Sequence, residues 1–300
     1  MTDITEGDEG LWFGTDGGGV AFYDGSSWET WAMDQNLGGN WIEAIRQTPD
    51  GAIWVTHPGT GLSRYQPEDD TWQVFAESEG ALDWPSYPGV DSDGYLWIGD
   101  FGELVRYDGQ GWQRSAPPEL RDLEIYAIQF GPGDVQWFVI DGGLARHDPA
   151  SGEWTTFTAA DHPLLEEIWS FLVASDGAVW VGGEEGLVQY DGSTWRTPEA
   201  EGDAPQYVGD LAEAPDGSLW MAADGELGHL AGGRWSYAPW PSEGGLERVA
   251  PAPDGSVWAG YEGLGRYDPA TGDWRLFMPA DGLAHLIVQA IHVTPEGVVW

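Results

Sequence analysis

The 300-residue chain has no cysteine and no lysine. Without thiols there can be no disulfide, thiolate zinc site, iron–sulfur cluster or cysteine nucleophile. Its 11 cationic side chains are all arginine and face 51 aspartates and glutamates, a formal net charge of −40. A surface this negative repels phosphate backbones and anionic lipid, so neither nucleic acid nor a membrane is an expected partner. No run of about 18 apolar residues occurs, which leaves no membrane-spanning helix. Helical periodicity is absent over any useful window. The first ten residues hold neither a basic nor an apolar stretch, so no secretory signal is expected. The end, Val298–Trp300, stops inside an apolar β-like pattern, as expected either of an excised or engineered piece or of a strand left to pair elsewhere.

What the chain has in abundance is tryptophan, 20 of them, within a composition that is 41% hydrophobic. That content demands burial and argues against disorder. Tryptophans recur in one frame at Trp12, Trp54, Trp97, Trp137, Trp180, Trp220, Trp258 and Trp300, separated by 38 to 43 residues. A period of about 41 is that of a propeller blade. Each unit reads alike: a turn such as Pro49-Asp50-Gly51, a strand Ala52–Thr56, a strand Gly61–Tyr65, a second turn, and Thr71–Phe75. The Asp-Gly turn returns at Asp93-Gly94, Asp176-Gly177, Asp216-Gly217 and Asp254-Gly255, and Asp-Gly marks tight hairpins. Adding the run before each turn, Ile42–Gln47 in the second unit, gives four antiparallel strands per repeat.

The expected fold is therefore all-β: residues 1–300 form one domain, a monomeric seven-bladed β-propeller of four-stranded antiparallel blades. Stacked blades cover one another's faces, and closure removes free edges. Because the N-terminus reads as beginning at a second strand, Leu11–Thr15, the segment Ile287–Thr294 is expected to pair with it and seal the ring. Trp300 then duplicates Trp12 and is expected to be frayed or packed at the seam.

Leu11-Trp12-Phe13-Gly14-Thr15 and Val257-Trp258-Ala259-Gly260-Tyr261, the latter followed by Gly263-Leu264-Gly265-Arg266-Tyr267-Asp268-Pro269, resemble the two-component-regulator propeller repeat. The likeness covers essentially the whole chain. It implies an extracytoplasmic, sensor-type propeller that binds a ligand. Streptogramin lyase is a related seven-bladed propeller with a tryptophan-containing repeat, and it implies the rival reading, a metal-dependent lyase or hydrolase. A third reading is a bare scaffold with no ligand of its own.

Sixteen tryptophans fall in repeated positions of the second and fourth strands and are expected to pack between blades. Trp41, Trp84, Trp169 and Trp240 do not. In the first strands one column stays apolar: Ile42, Pro85, Ile125, Ile168, Val208, Leu246 and Val288. The residues on either side of it vary and share the opposite face, because strand side chains alternate. These flanking columns supply the candidate ligand-binding residues Trp41, Glu43, Trp84, Glu124, Tyr126, Glu167, Trp169, Tyr207, Glu247 and Gln289, with Arg248 beside them as the cation to test. Aromatic platforms among carboxylates at the mouth of a central channel suit a small molecule, a sugar or a peptide. Asp16, His57, Phe101, Asp141, Glu184, Asp224 and Tyr261, from the loops after the second strands, vary in the same way.

Catalytic and metal motifs are weak. The six histidines show no close ligand pair, and no G-x-S-x-G occurs. No cofactor, metal site or catalytic residue is assigned, although His285 and His292 near Glu247 would imitate a lyase site. Arg64, Arg106, Arg146 and Arg266 precede the third-strand aromatic residue and are expected to pair with carboxylates of neighbouring blades. The acidic residues are spread over every repeat, as expected of a solvated surface adapted to high salt, the alternative being a surface that attracts a cationic partner.

Overall fold

The computed structural model describes residues 2–75, 85–242, 244–283 and 285–300. Seven four-stranded antiparallel sheets follow one another along the chain, each with its strands in sequence order. They are the blades of a seven-bladed β-propeller, and helix among the described residues is confined to short 3-10 turns. Two compact units divide the chain, Met1–Thr156 and Phe157–Trp300.

The repeated Asp-Gly dipeptides do what their chemistry allows. Gly51, Gly94, Gly177, Gly217 and Gly255 take φ between 80° and 87°, a conformation that costs glycine nothing. The aspartate staples the turn by accepting the backbone N–H two residues on: Asp50 from Ala52 at 3.2 Å, Asp176 from Ala178 at 2.8 Å and Asp254 from Ser256 at 2.9 Å. Other aspartates act similarly between third and fourth strands. Asp24 accepts from Ser26 and Ser27, and Asp191 from Ser193 and Thr194. Much of the acidity is thus turn chemistry.

In blade 1 the strand pairing differs from the sequence expectation. Its first strand is Asp3–Gly7, paired with Gly10–Gly14 from Asp3↔Gly14 to Gly7↔Gly10. The segment expected in that place stays near blade 7: Ile287 bridges Glu262, and Val288 N–H donates to Tyr261 O at 2.7 Å. Beyond it, His292 and Trp300 exchange backbone hydrogen bonds of 3.1 and 2.9 Å around the turn at Gly297. Trp300 therefore ends a hairpin instead of fraying. Asp3–Gly7 has a single apolar residue, Ile4, which is buried. Its anchor is polar: Asp3 Oδ2 accepts from Ile45 N at 3.0 Å and from Arg46 Nη1 at 2.7 Å.

Within each unit, adjacent blades pack through the tryptophan frame. In unit 1, Trp12 stacks on Trp31 at 5.4 Å and meets Trp72 edge-on at 6.3 Å. Trp54 is fully buried among Phe75, Tyr107 and Trp112. In unit 2, Trp220, Leu246 and Val257 belong to one core cluster, against which Trp274 packs. Trp240 joins it, edge-on to Trp274 at 5.2 Å, so this off-frame tryptophan is core. Trp28, a frame residue, is by contrast 55% exposed.

The glycine two residues after the frame tryptophan has a packing reason. A Cβ on Gly14 would lie 2.7 Å from Ile42, on Gly99 2.5 Å from Ile125, and on Gly182 2.6 Å from Val208. In these three blades the apolar residue of the following first strand seats against that bare backbone, and Ile42, Ile125 and Val208 are buried.

The third-strand arginines pair within their own blades, which corrects the expectation of partners in neighbouring blades. Arg64 reaches Asp50, Arg266 reaches Asp254 and Arg146 reaches Asp148. Arg106 lies over the Tyr95 ring at 3.8 Å.

Candidate ligand-binding site

Burying the apolar column turns its flanking residues outward. In unit 1, Ile125 is buried while Glu124 and Tyr126 are exposed, Tyr126 at 44%. Tyr126 Oη donates to Glu124 Oε2 at 3.2 Å. Partial burial and the Glu124 carboxylate both push the phenol's pKa up. Trp41, at 61% exposure, is the most open tryptophan among the described residues, and Glu43 beyond Ile42 is half-buried. Burial raises the Glu43 pKa. Trp84 lies outside the described residues.

Three first strands begin with a β-bulge: the register shifts between Ile125 and Ala127, Val208 and Asp210, and Leu246 and Arg248. The extra residues are Tyr126, Gly209 and Glu247. A bulge re-aims its residue out of the ladder, and here it falls on the variable column three times. Sequence periodicity gives no sign of these bulges, since a bulged and a regular strand carry the same apolar column.

Unit 2 carries the most built arrangement. Glu167 and Trp169 flank Ile168, and Trp169 Nε1–H donates to Glu167 Oε1 at 3.0 Å. The Tyr207 ring, from the start of the next blade, stands edge-on to the Trp169 ring at 4.9 Å. The Tyr207 phenol lies back over the bulge at Gly209, where a Cβ would stand in ordinary contact with the ring at 3.4 Å. Asp224 holds the entry to that strand, its N–H donating to Tyr207 O at 3.1 Å and its Oδ2 accepting from Gln206 N at 3.0 Å. The result is two aromatic rings inclined at 72° to each other, one fixed by a carboxylate.

Glu247 and Arg248 are placed otherwise. Arg248 Nε donates to Gln289 O at 2.8 Å and Nη1 to Glu247 O at 2.9 Å. The cation clamps the chain around Gln289 to the first strand of blade 7. Close by, Asp210 Oδ2 accepts from Val249 N at 2.9 Å. Burial pushes the Asp210 pKa up to about 6, against the pull of that N–H and of Arg248.

Of the loop residues, Phe101 is 61% exposed. It adjoins the Glu124 strand, since Gly102 N–H donates to Leu123 O at 2.8 Å. His57 is instead buried, with Nε2 2.7 Å from Ser63 Oγ, and burial lowers its pKa to about 4. Among the described residues no three His, Asp or Glu side chains converge as metal ligands. His285 Nδ1 accepts from Ile287 N at 3.0 Å. Tyr87, which the column reading passed over, is 40% exposed, and its N–H donates to Tyr126 O at 3.0 Å.

Comparison with known proteins adds the fold. No protein-family profile matches the chain, and no curated protein matches it. Solved structures do. The Dos1 propeller superposes with a TM-score of 0.75 at 10% identity, over 98% of this chain and 87% of that one. Virginiamycin B lyase from Staphylococcus aureus, in an inactive form with quinupristin, gives 0.65 at 13% identity, over 86% and 90%. The extracellular domain assigned to a hybrid two-component system of B. thetaiotaomicron gives 0.57 at 16% identity, over 99% of this chain and 49% of that one. The shared fold is the β-propeller. Both resemblances read from the repeat, to two-component sensor propellers and to streptogramin lyase, recur among these structures.

Proposed function

We propose that the chain is a non-catalytic, sensor-type recognition propeller whose ligand, a small molecule, sugar or peptide, docks on the aromatic–carboxylate sites at the starts of the first strands. The observation that carries this reading is Trp169: an indole 37% exposed, propped edge-on by Tyr207 and tied to Glu167. An isolated exposed tryptophan is ordinary, but one held in a fixed orientation is pre-organised for stacking and loses little entropy on binding. Its face suits a sugar ring or an aromatic or cationic group, while Glu167 accepts a hydroxyl or amine. Glu124 with Tyr126 repeats the pairing in unit 1. Likeness to a two-component extracellular domain supports a sensor role, and such a role places the protein outside the cytoplasm.

The test is a thermal-shift screen against sugars, small amines and short peptides, followed by calorimetry of each hit. Replacing Trp169 and Tyr207 together by alanine is expected to weaken a true ligand by tenfold or more, with unchanged circular dichroism. Hits that bind the double variant and the parent equally well would sink this site.

A further inference from the structure

Blades 2 and 7 finish their first turn with an arginine. Arg64 Nη2 lies 2.6 Å from Asp50 Oδ2, and Arg266 Nη2 lies 2.8 Å from Asp254 Oδ2. In blade 7 the other oxygen, Asp254 Oδ1, accepts from Ser256 N and Oγ at 2.9 and 2.6 Å, and Arg266 Nε donates to Ser256 Oγ at 3.1 Å.

Blade 6 builds the same turn without the arginine. Asp216 Oδ1 accepts from Ser218 N and Oγ at 3.0 and 2.6 Å. Opposite Trp220, in the register position that Arg266 holds opposite Trp258, stands His229. Its ring stacks on the indole at 3.8 Å and 13°, and its buried Nε2 has no hydrogen-bond partner. Imidazole carries no guanidinium fork to offer Asp216. A cavity of about 280 Å³ opens beside it, walled by Trp220, His229, Pro215, Pro251, Pro253 and Pro269. The corresponding places between blades 1 and 2 and between blades 2 and 3 hold about 110 and 170 Å³.

We propose that the cavity between blades 6 and 7 binds a guanidinium group, as an arginine side chain carries it, in the place that Arg266 fills within blade 7. Asp216 Oδ2 and Ser218 Oγ present the acceptors that Asp254 and Ser256 present to Arg266. A planar fork of N–H donors matches a carboxylate better than an ammonium does. The proline and indole walls cover the ligand's methylene stem. Burial lowers the His229 pKa, so its ring is neutral at neutral pH and does not repel the cation. The net charge of −40 draws cations to the surface. This cavity lies past the ends of strands Val208–Glu213 and Leu246–Pro251, away from Tyr207 at the start of the former, and does not depend on the function proposed above.

The experiment titrates the whole chain with acetyl-arginine amide and acetyl-lysine amide, by calorimetry or chemical-shift perturbation, at physiological and at high salt. Saturable binding in about the millimolar range is expected for the arginine probe, several-fold weaker for the lysine probe. Asp216→Asn should weaken it about tenfold. His229→Arg supplies a guanidinium from within, so it should abolish probe binding and raise the melting temperature. No binding, equal binding of the two probes, or binding that survives both substitutions would overturn the site. Asp216→Asn keeps the size and shape of the turn, so the test stands even if His229→Arg misfolds.

Discussion

Trp54 lies wholly buried on a second strand, while Trp169, at the start of a first strand, keeps 37% of its surface in solvent. The two share a residue type and differ in everything the repeat controls. Trp54 recurs in every blade, contacts three aromatic rings and sits under an arginine, whose Cζ is 5.5 Å from its ring centroid. Trp169 belongs to one blade and touches one ring and one carboxylate. Residues that serve stacking mostly repeat, because every blade presents a similar face to the next; Trp240 is core without a counterpart. Residues that serve a ligand are free to vary, because a ligand meets each blade differently.

The comparison breaks if the two kinds of place respond alike to truncation. Trp54→Ala should give the largest effect, a loss of about 3–5 kcal/mol of stability in denaturant or thermal unfolding, since it leaves a cavity that its neighbours cannot close. Gly99→Ala tests the same frame from the opposite direction. Its new methyl would lie 2.5 Å from Ile125, and such overpacking costs about 1–3 kcal/mol. A neutral Gly99→Ala would mean that the glycine column has no packing role.

Asp210→Asn should stabilise the protein by on the order of 1–2 kcal/mol at neutral pH. Its folded pKa of about 6 exceeds the ordinary 3.8, so the folded state holds the proton more tightly than the unfolded state. The stability it contributes is fully present below about 3.8 and is lost as pH rises through about 6. Asparagine still accepts from Val249 N–H and does not titrate. The difference in melting temperature between parent and variant should therefore grow across that window and then level off. Asp254, held down to about 2 by Ser256 and Arg266, contributes with the opposite sign, and the difference measurement cancels it.

How much was legible in the sequence follows the same division. Trp54, the Asp-Gly turns and the buried column of Ile42, Ile125 and Val208 were readable because each recurs, and recurrence within one chain works as an internal alignment. Asp3–Gly7 does not read as a strand because its anchor is a carboxylate on Ile45 N–H and Arg46, not an apolar pattern. Trp240 had no counterpart in the repeat, yet it fills the space over Gly265, where a Cβ would come within 2.7 Å of its ring. Arg248, expected as a cation facing a ligand, instead donates to the backbone carbonyls of Gln289 and Glu247. The bulges at Tyr126, Gly209 and Glu247 leave no mark on composition or period. His229 stands out only beside the arginine–aspartate pairs of blades 2 and 7, whose register position it occupies.

The smallest expected effect sharpens the comparison most. Trp169→Ala removes one edge-on contact with Tyr207 and one hydrogen bond to Glu167, both at the surface. An aromatic pair of this kind is worth about 0.5–1.5 kcal/mol, and an exposed hydrogen bond adds little because water replaces it. Unfolding of Trp169→Ala should thus fall within about 1 kcal/mol of the parent. A loss comparable to that of Trp54→Ala would make Trp169 a core residue, and its orientation would then serve packing and not a ligand. A small loss leaves an indole that the fold holds in place without needing it. Holding it still costs conformational entropy, and that fixed orientation is what the proposed binding face requires.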